Sequence, residues 1–111
     1  MLVLSRKIGF GVMLGSDVQI TLNRSTSTQV TLWIKAPRNK SVRRSKLDPQ
    51  TPSLETKISN LVLTLKVGES LIVDETTTLT ILKKGGSIRF GINAPRDIRI
   101  RRTELDDLNV A

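Results

Sequence analysis

Hydrophobic and polar residues alternate along much of the chain: Val18, Ile20 and Leu22, then Val30, Leu32 and Ile34, occupy every second position. The same period returns at Leu79 and Ile81 and again at Ile88, Phe90 and Ile92. A period of two sends successive side chains to opposite faces, so these segments are predicted to be half-buried antiparallel strands. Gly9, Gly11 and Gly15 punctuate the first group, and Gly68 and the Gly85-Gly86 pair punctuate the second. Gly-Gly after Lys83-Lys84 is a hairpin signal. Pro37 and Pro95 have no N–H to give to a ladder, so each marks a strand end or edge.

The two groups are copies of one segment. Met1-Leu2-Val3-Leu4-Ser5-Arg6-Lys7-Ile8-Gly9 returns as Asn60-Leu61-Val62-Leu63-Thr64-Leu65-Lys66-Val67-Gly68. Ile34-Lys35-Ala36-Pro37-Arg38 returns as Ile92-Asn93-Ala94-Pro95-Arg96, and Val42-Arg43-Arg44 with Leu47 returns as Ile100-Arg101-Arg102 with Leu105. Such self-similarity decides the architecture before any local reading does. The second copy is one residue shorter, and the difference is expected in the turn around Lys83 to Gly86, because turns absorb length changes that would slip a strand's register. Five short strands are expected per copy, in an all-β protein. Residues 1–47 form the first repeat, 48–59 a linker and 60–111 the second repeat, the two repeats making one globular unit.

The linker Asp48-Pro49-Gln50-Thr51-Pro52-Ser53 carries two prolines, and Ser53 is placed to cap a single helical turn over Leu54–Ile58. Extended, its twelve residues reach roughly 40 Å, enough to cross a small domain. The tail from Thr103 to Leu108 has apolar residues three apart and early acids, which predicts a short C-terminal helix.

Composition narrows the chemistry. The 111 residues include no cysteine and no histidine, which leaves out thiolate nucleophiles, imidazole acid–base chemistry and the common zinc ligand sets. The adjacent acids Asp74-Glu75 and Asp106-Asp107 have ordinary places in turns or at helix starts, so no catalytic residue, metal or cofactor is expected and the chain does not read as an enzyme. Met1 to Leu4 lacks the pattern of a signal peptide and no run is long enough to span a membrane, so a cytoplasmic protein with no membrane partner is expected. With only Phe10, Trp33 and Phe90 as aromatics, the core must be built from Val, Ile and Leu. The net charge is +8. Nearly all of it lies before residue 48, where Asp17 is the single acid among nine bases, and such an excess favours polyanionic partners.

The ordered set of Met-Leu-Val-Leu-Ser-Arg-Lys-Ile-Gly, alternating strands, Ala-Pro-Arg and a last strand ending Val-Arg-Arg resembles the carbon storage regulator (CsrA/RsmA) family, and does so twice. The resemblance implies a fold in which the first strand of each subunit pairs with the last strand of its partner. Here it implies two five-stranded antiparallel sheets with strands exchanged between the repeats, an intramolecular pseudo-dimer that is monomeric as a chain. This is physically reasonable, because about 50 residues of short strands bury too little surface to stand alone.

The resemblance also implies bacterial translational regulation through single-stranded GGA in mRNA leaders or small-RNA hairpin loops. One RNA-binding surface would then join Leu4, Arg6 and Lys7 with Ala94, Pro95, Arg96, Ile100 and Arg102. The other would join Leu63, Leu65 and Lys66 with Ala36, Pro37, Arg38, Val42 and Arg44. Leu65 stands where the first copy has Arg6, so the second surface is expected to be weaker. Protein antagonists are possible partners, and the alternative function is a protein-interaction or titrating module of the same fold with little RNA binding. Plainer roles remain open for single residues: Arg44 and Arg102 as solvated strand ends, Arg6 and Lys7 as guards of an edge strand, Leu65 as a packing contact. Trp33, out of phase with Leu32 and Ile34, is expected to face outward, where it would stack on a base or cover the linker or a partner.

Overall fold

A computed structural model of the chain describes residues 1–37, 40–44 and 60–103. Arg38, the linker with its helical turn, and the C-terminal helix expected after Thr103 lie outside the described residues. Ten strands follow in chain order: β1 (Leu2–Arg6), β2 (Gly11–Leu14), β3 (Val18–Ser25), β4 (Gln29–Lys35), β5 (Val42–Arg44), β6 (Asn60–Lys66), β7 (Ser70–Val73), β8 (Thr77–Lys84), β9 (Ser87–Asn93) and β10 (Ile100–Arg102). Each repeat thus supplies five.

They form two five-stranded antiparallel sheets, ordered β1-β9-β8-β7-β5 and β10-β2-β3-β4-β6. The centre of each sheet is a three-stranded meander from one repeat, and both of its edges are filled by strands of the other. The exchange is the one the resemblance implies, but the partner strands differ. β1 pairs with β9 from Leu2↔Ile92 to Arg6↔Ile88, and β10 pairs with β2 from Ile100↔Leu14 to Arg102↔Val12. First and last strands are therefore not joined in one ladder; they border different sheets. A first-to-last pairing would leave the meander edges open, each a row of unsatisfied backbone groups.

The alternation read from the chain is the alternation of burial. Val18, Ile20, Leu22, Val30, Leu32 and Ile34 of one sheet, and Leu71, Leu79, Ile81, Ile88, Phe90 and Ile92 of the other, are buried. Phe90 is the one aromatic in this core. Burial of such side chains contributes about 1.5–3 kcal/mol each, and neither half-sandwich achieves it without the facing sheet.

The length difference between the repeats lies elsewhere than expected. Both hairpins turn through two residues: Lys84↔Ser87 brackets Gly85-Gly86, both at positive φ (58° and 92°), and Thr26, bonded to Gln29 at 2.8 Å, brackets Ser27-Thr28. The extra residue sits within β3, where the register shifts between Leu22 and Arg24. A bulge lets two residues oppose one, so the residues on either side keep their faces.

Because every sheet contains strands of both repeats, covalent continuity between residues 48 and 59 is not what holds the halves together. A chain carrying a protease site in that segment is expected, once cut, to run as one particle of full mass in native mass spectrometry. Separation of the two fragments without denaturant would contradict the exchanged sheets.

Candidate nucleic-acid interface

An edge strand pairs on one side only, and the backbone groups on its other side are available to a ligand. β1 and β10 are edges of opposite sheets, and so are β6 and β5. On β1, Leu4 points inward and is buried opposite Phe90; on β6, Leu63 is buried opposite Leu32. What these two residues offer outward is backbone. Lys7 and Lys66, just past the inward stretch, are exposed.

Position 6 differs from its expected role. Arg6 alternates inward with Leu4 and is only 9% exposed. Its Nε donates to the Ser5 carbonyl and its Nη1 donates to the Gly11 carbonyl at 3.1 Å. The Gly11 N–H in turn donates to Thr103 Oγ1 at 2.9 Å. Gly11 is needed there: a Cβ would lie 1.8 Å from the Ile20 carbonyl oxygen. Thus Arg6 at the end of β1 and Thr103, the neighbour of Arg102 in β10, meet on one residue of β2, Gly11. The first and last strands of opposite repeats are brought together through that residue, not through a ladder.

Leu65, the counterpart of Arg6, is fully buried opposite Val30. The leucine therefore completes the core and stands in place of a buried tie, not of a solvent-facing cation. Both repeats keep one further clasp: the Gly15 N–H donates to the Arg99 carbonyl and the Asp74 N–H to the Ser41 carbonyl, each at 2.7 Å.

The remaining residues divide by exposure. Pro95, Arg96 and Arg102 are exposed, while Ala94 and Ile100 are half-buried. On the other side, Ala36 and Val42 are buried, and Pro37 and Arg44 are half-buried. Each Ala-Pro segment closes a local turn, with the Ile98 N–H on the Pro95 carbonyl (3.0 Å) and the Lys40 N–H on the Pro37 carbonyl (3.1 Å).

Carboxylates separate the two edges further. Arg43, on β5, donates from Nε and Nη2 to both oxygens of Glu75, at 2.8 and 2.9 Å. Lys40 Nζ lies 2.8 Å from Asp17 Oδ1. At the related positions beside β10 the chain has Ser16 for Glu75, whereas Lys40 and Asp17 are replaced together, by Ile98 and Thr76. The Arg43 fork, helped by the Ser41 hydroxyl, holds the Glu75 carboxyl below the ordinary glutamate range. The role of Thr103, Gly11 and Glu75 was missed in the sequence; the signal was there in the substitutions of Ser70 by Gly11 and of Glu75 by Ser16 between repeats.

Comparison with known proteins agrees with this architecture. The model of the CsrA global regulator protein family matches residues 1–51 and again 61–108. Translational regulator CsrA from Thermotoga petrophila and that from Thermotoga sp. strain RQ2 are each 48% identical over 46 residues, 40% of this chain. The chain spans 55% of the length of each. No solved structure matches.

Arg6→Met removes the donor to a buried carbonyl, a loss of about 1–3 kcal/mol, and is expected to lower the urea midpoint with little change in slope. An unchanged midpoint would show the tie to be idle. In a pH titration followed by NMR, Glu75 is expected to ionise below an exposed glutamate and to move upward in Arg43→Gln. Its folded value being depressed, the pair supports the fold at neutral pH and is lost as pH falls through that value.

Proposed function

The chain belongs to the CsrA global regulator family, and from that membership we propose that it is a translational regulator that binds RNA along its sandwich edges. The ligand proposed is single-stranded GGA in an mRNA leader or a small-RNA hairpin loop. The observation that carries the reading is the convergence of β1 and β10 on Gly11. Lys7 follows the edge strand β1, and Arg96 and Arg102, before and within β10, are exposed as it is. Backbone groups can read base edges where aromatic platforms are scarce, lysines meet phosphates, and an arginine fork suits phosphate or guanine. Nothing in this arrangement calls for catalysis.

The two edges are proposed to bind unequally. The β6–β5 edge lacks the arginine tie, Leu65 having taken its place, and its neighbouring cation Arg43 has a carboxylate against it, which its counterpart Arg101 does not have from Ser16. Both features weaken attraction for a phosphate chain without abolishing it, since Lys66 and Arg44 remain.

Titration with a short GGA hairpin, read by gel shift and native mass, tests the proposal. One tight and one weaker equivalent are expected, with affinity falling steeply as salt rises and little binding to a CCA control. Arg102→Ala is expected to weaken the tight step by about 1–3 kcal/mol, the worth of a forked base contact. Two equal steps would refute the asymmetry. RNA affinity indifferent to Arg102 would favour the protein-interaction reading instead.

A further inference from the structure

The sheet that ends in β6 carries on its outer face the single tryptophan of the chain. Trp33 stands in register between Thr21 of β3 and Val62 of β6. It is 42% exposed and Val62 is 59% exposed. The Lys35 ammonium lies over the ring, 4.6 Å from its centroid, a cation–π contact that a stacked base would have to displace.

The surroundings suit an anion. β3, β4 and β6 contain no carboxylate, and Lys35 and Lys66 add positive charge at opposite ends of the β4–β6 ladder. Among the described residues, the two acids that border this face are engaged: Asp17 with Lys40 at 2.8 Å, and Glu69 Oε1 with the Lys66 N–H at 2.7 Å. β6 is the edge strand of the second proposed RNA surface, and Trp33 lies one strand inside it, about 5 Å away.

The other edge has no equivalent. Trp33 is replaced there by Gly91, which pairs with Val3 of the edge strand β1. A Cβ at Gly91 would lie 2.9 Å from Met1 Sδ and 3.0 Å from Leu82 Cδ1, so those two side chains already roof the position.

We propose that a base flanking an RNA held along β6 folds over that edge and stacks on Trp33, the Lys35 ammonium moving off the ring onto the adjoining phosphate while Lys66, at the opposite end of the ladder, meets the chain farther along. The proposal rests on the RNA-binding reading above. Stacking on an indole accepts any base, so the platform lengthens the footprint of the β6 edge without narrowing its sequence. The weaker edge thereby gains a contact that depends on single-stranded flanks, and the two edges select RNAs of different shape.

Trp33 emission reports the contact directly, since no other tryptophan is present. The full chain is titrated with a GGA hairpin bearing a three-nucleotide single-stranded flank and with the same hairpin trimmed of it, binding being followed separately by gel shift. The flanked RNA is expected to quench Trp33 as the weaker step fills, and the trimmed RNA to leave emission unchanged. Trp33→Leu is expected to weaken that step for the flanked RNA roughly five- to hundredfold and to spare the tight step, with unfolding midpoints confirming an intact fold. A flanked RNA that binds fully without altering emission overturns the platform while RNA binding stands. A blue shift that grows with protein concentration in the absence of RNA overturns it too, by making the face a contact between copies. No shift of either hairpin brings down RNA binding, and this proposal with it.

Discussion

A three-stranded meander has two open edges and one apolar face, and in this chain neither problem is solvable within a repeat. The edges of β7-β8-β9 are closed by β1 and β5, and those of β2-β3-β4 by β6 and β10. The apolar faces then close against each other, burying a core of Val, Leu and Ile around Phe90. Edge pairing and core burial are thus one event, since the strands that satisfy the backbone ladders also carry the side chains Leu4, Val42, Leu63 and Leu65 into the interior.

The same constraint decides what position 6 and its counterpart can do. Both point inward, and the interior accepts either an arginine whose donors are taken up by carbonyls or a leucine that needs none. A buried guanidinium is tolerated because the Gly11 carbonyl accepts from it, and Thr103 takes up the N–H of the same residue. At the other edge a leucine makes packing alone sufficient. The difference between the edges is therefore written in the core as much as on the surface.

Period-two alternation made the strands and their inward faces legible, from Val18-Ile20-Leu22 to Ile88-Phe90-Ile92, because burial on one face imposes that period directly. The repeat made the pseudo-symmetry legible. Three things were not. Pairing of β1 with β9 rather than with a last strand depends on which edges remain open, a property of the assembled sheets. The bulge beside Asn23 leaves no mark in composition, since an extra residue in a strand and one in a turn look alike in a chain. The inward course of Arg6 was hidden by its charge: parity placed it with Leu4, but a cation beside Lys7 is more readily taken for a surface group. Of the described residues expected to meet RNA, Lys7, Lys66, Pro95, Arg96 and Arg102 are exposed, while Leu4, Leu63 and Leu65 are turned inward.

Joining two repeats in one polypeptide changes what a single substitution can do. In a symmetric pair of identical subunits any altered residue appears twice, once at each edge, so the two edges can never diverge. Here every position occurs once, and an edge is composed half from each repeat, so drift at one end of the sandwich leaves the opposite end as it was. The interleaving also forbids the simplest route to a one-edged protein: discarding either repeat removes half of both edges and two strands from the sheet that survives. Asymmetry in this architecture has to arise residue by residue, as at Leu65, Ser16 and Trp33, never by loss of a module.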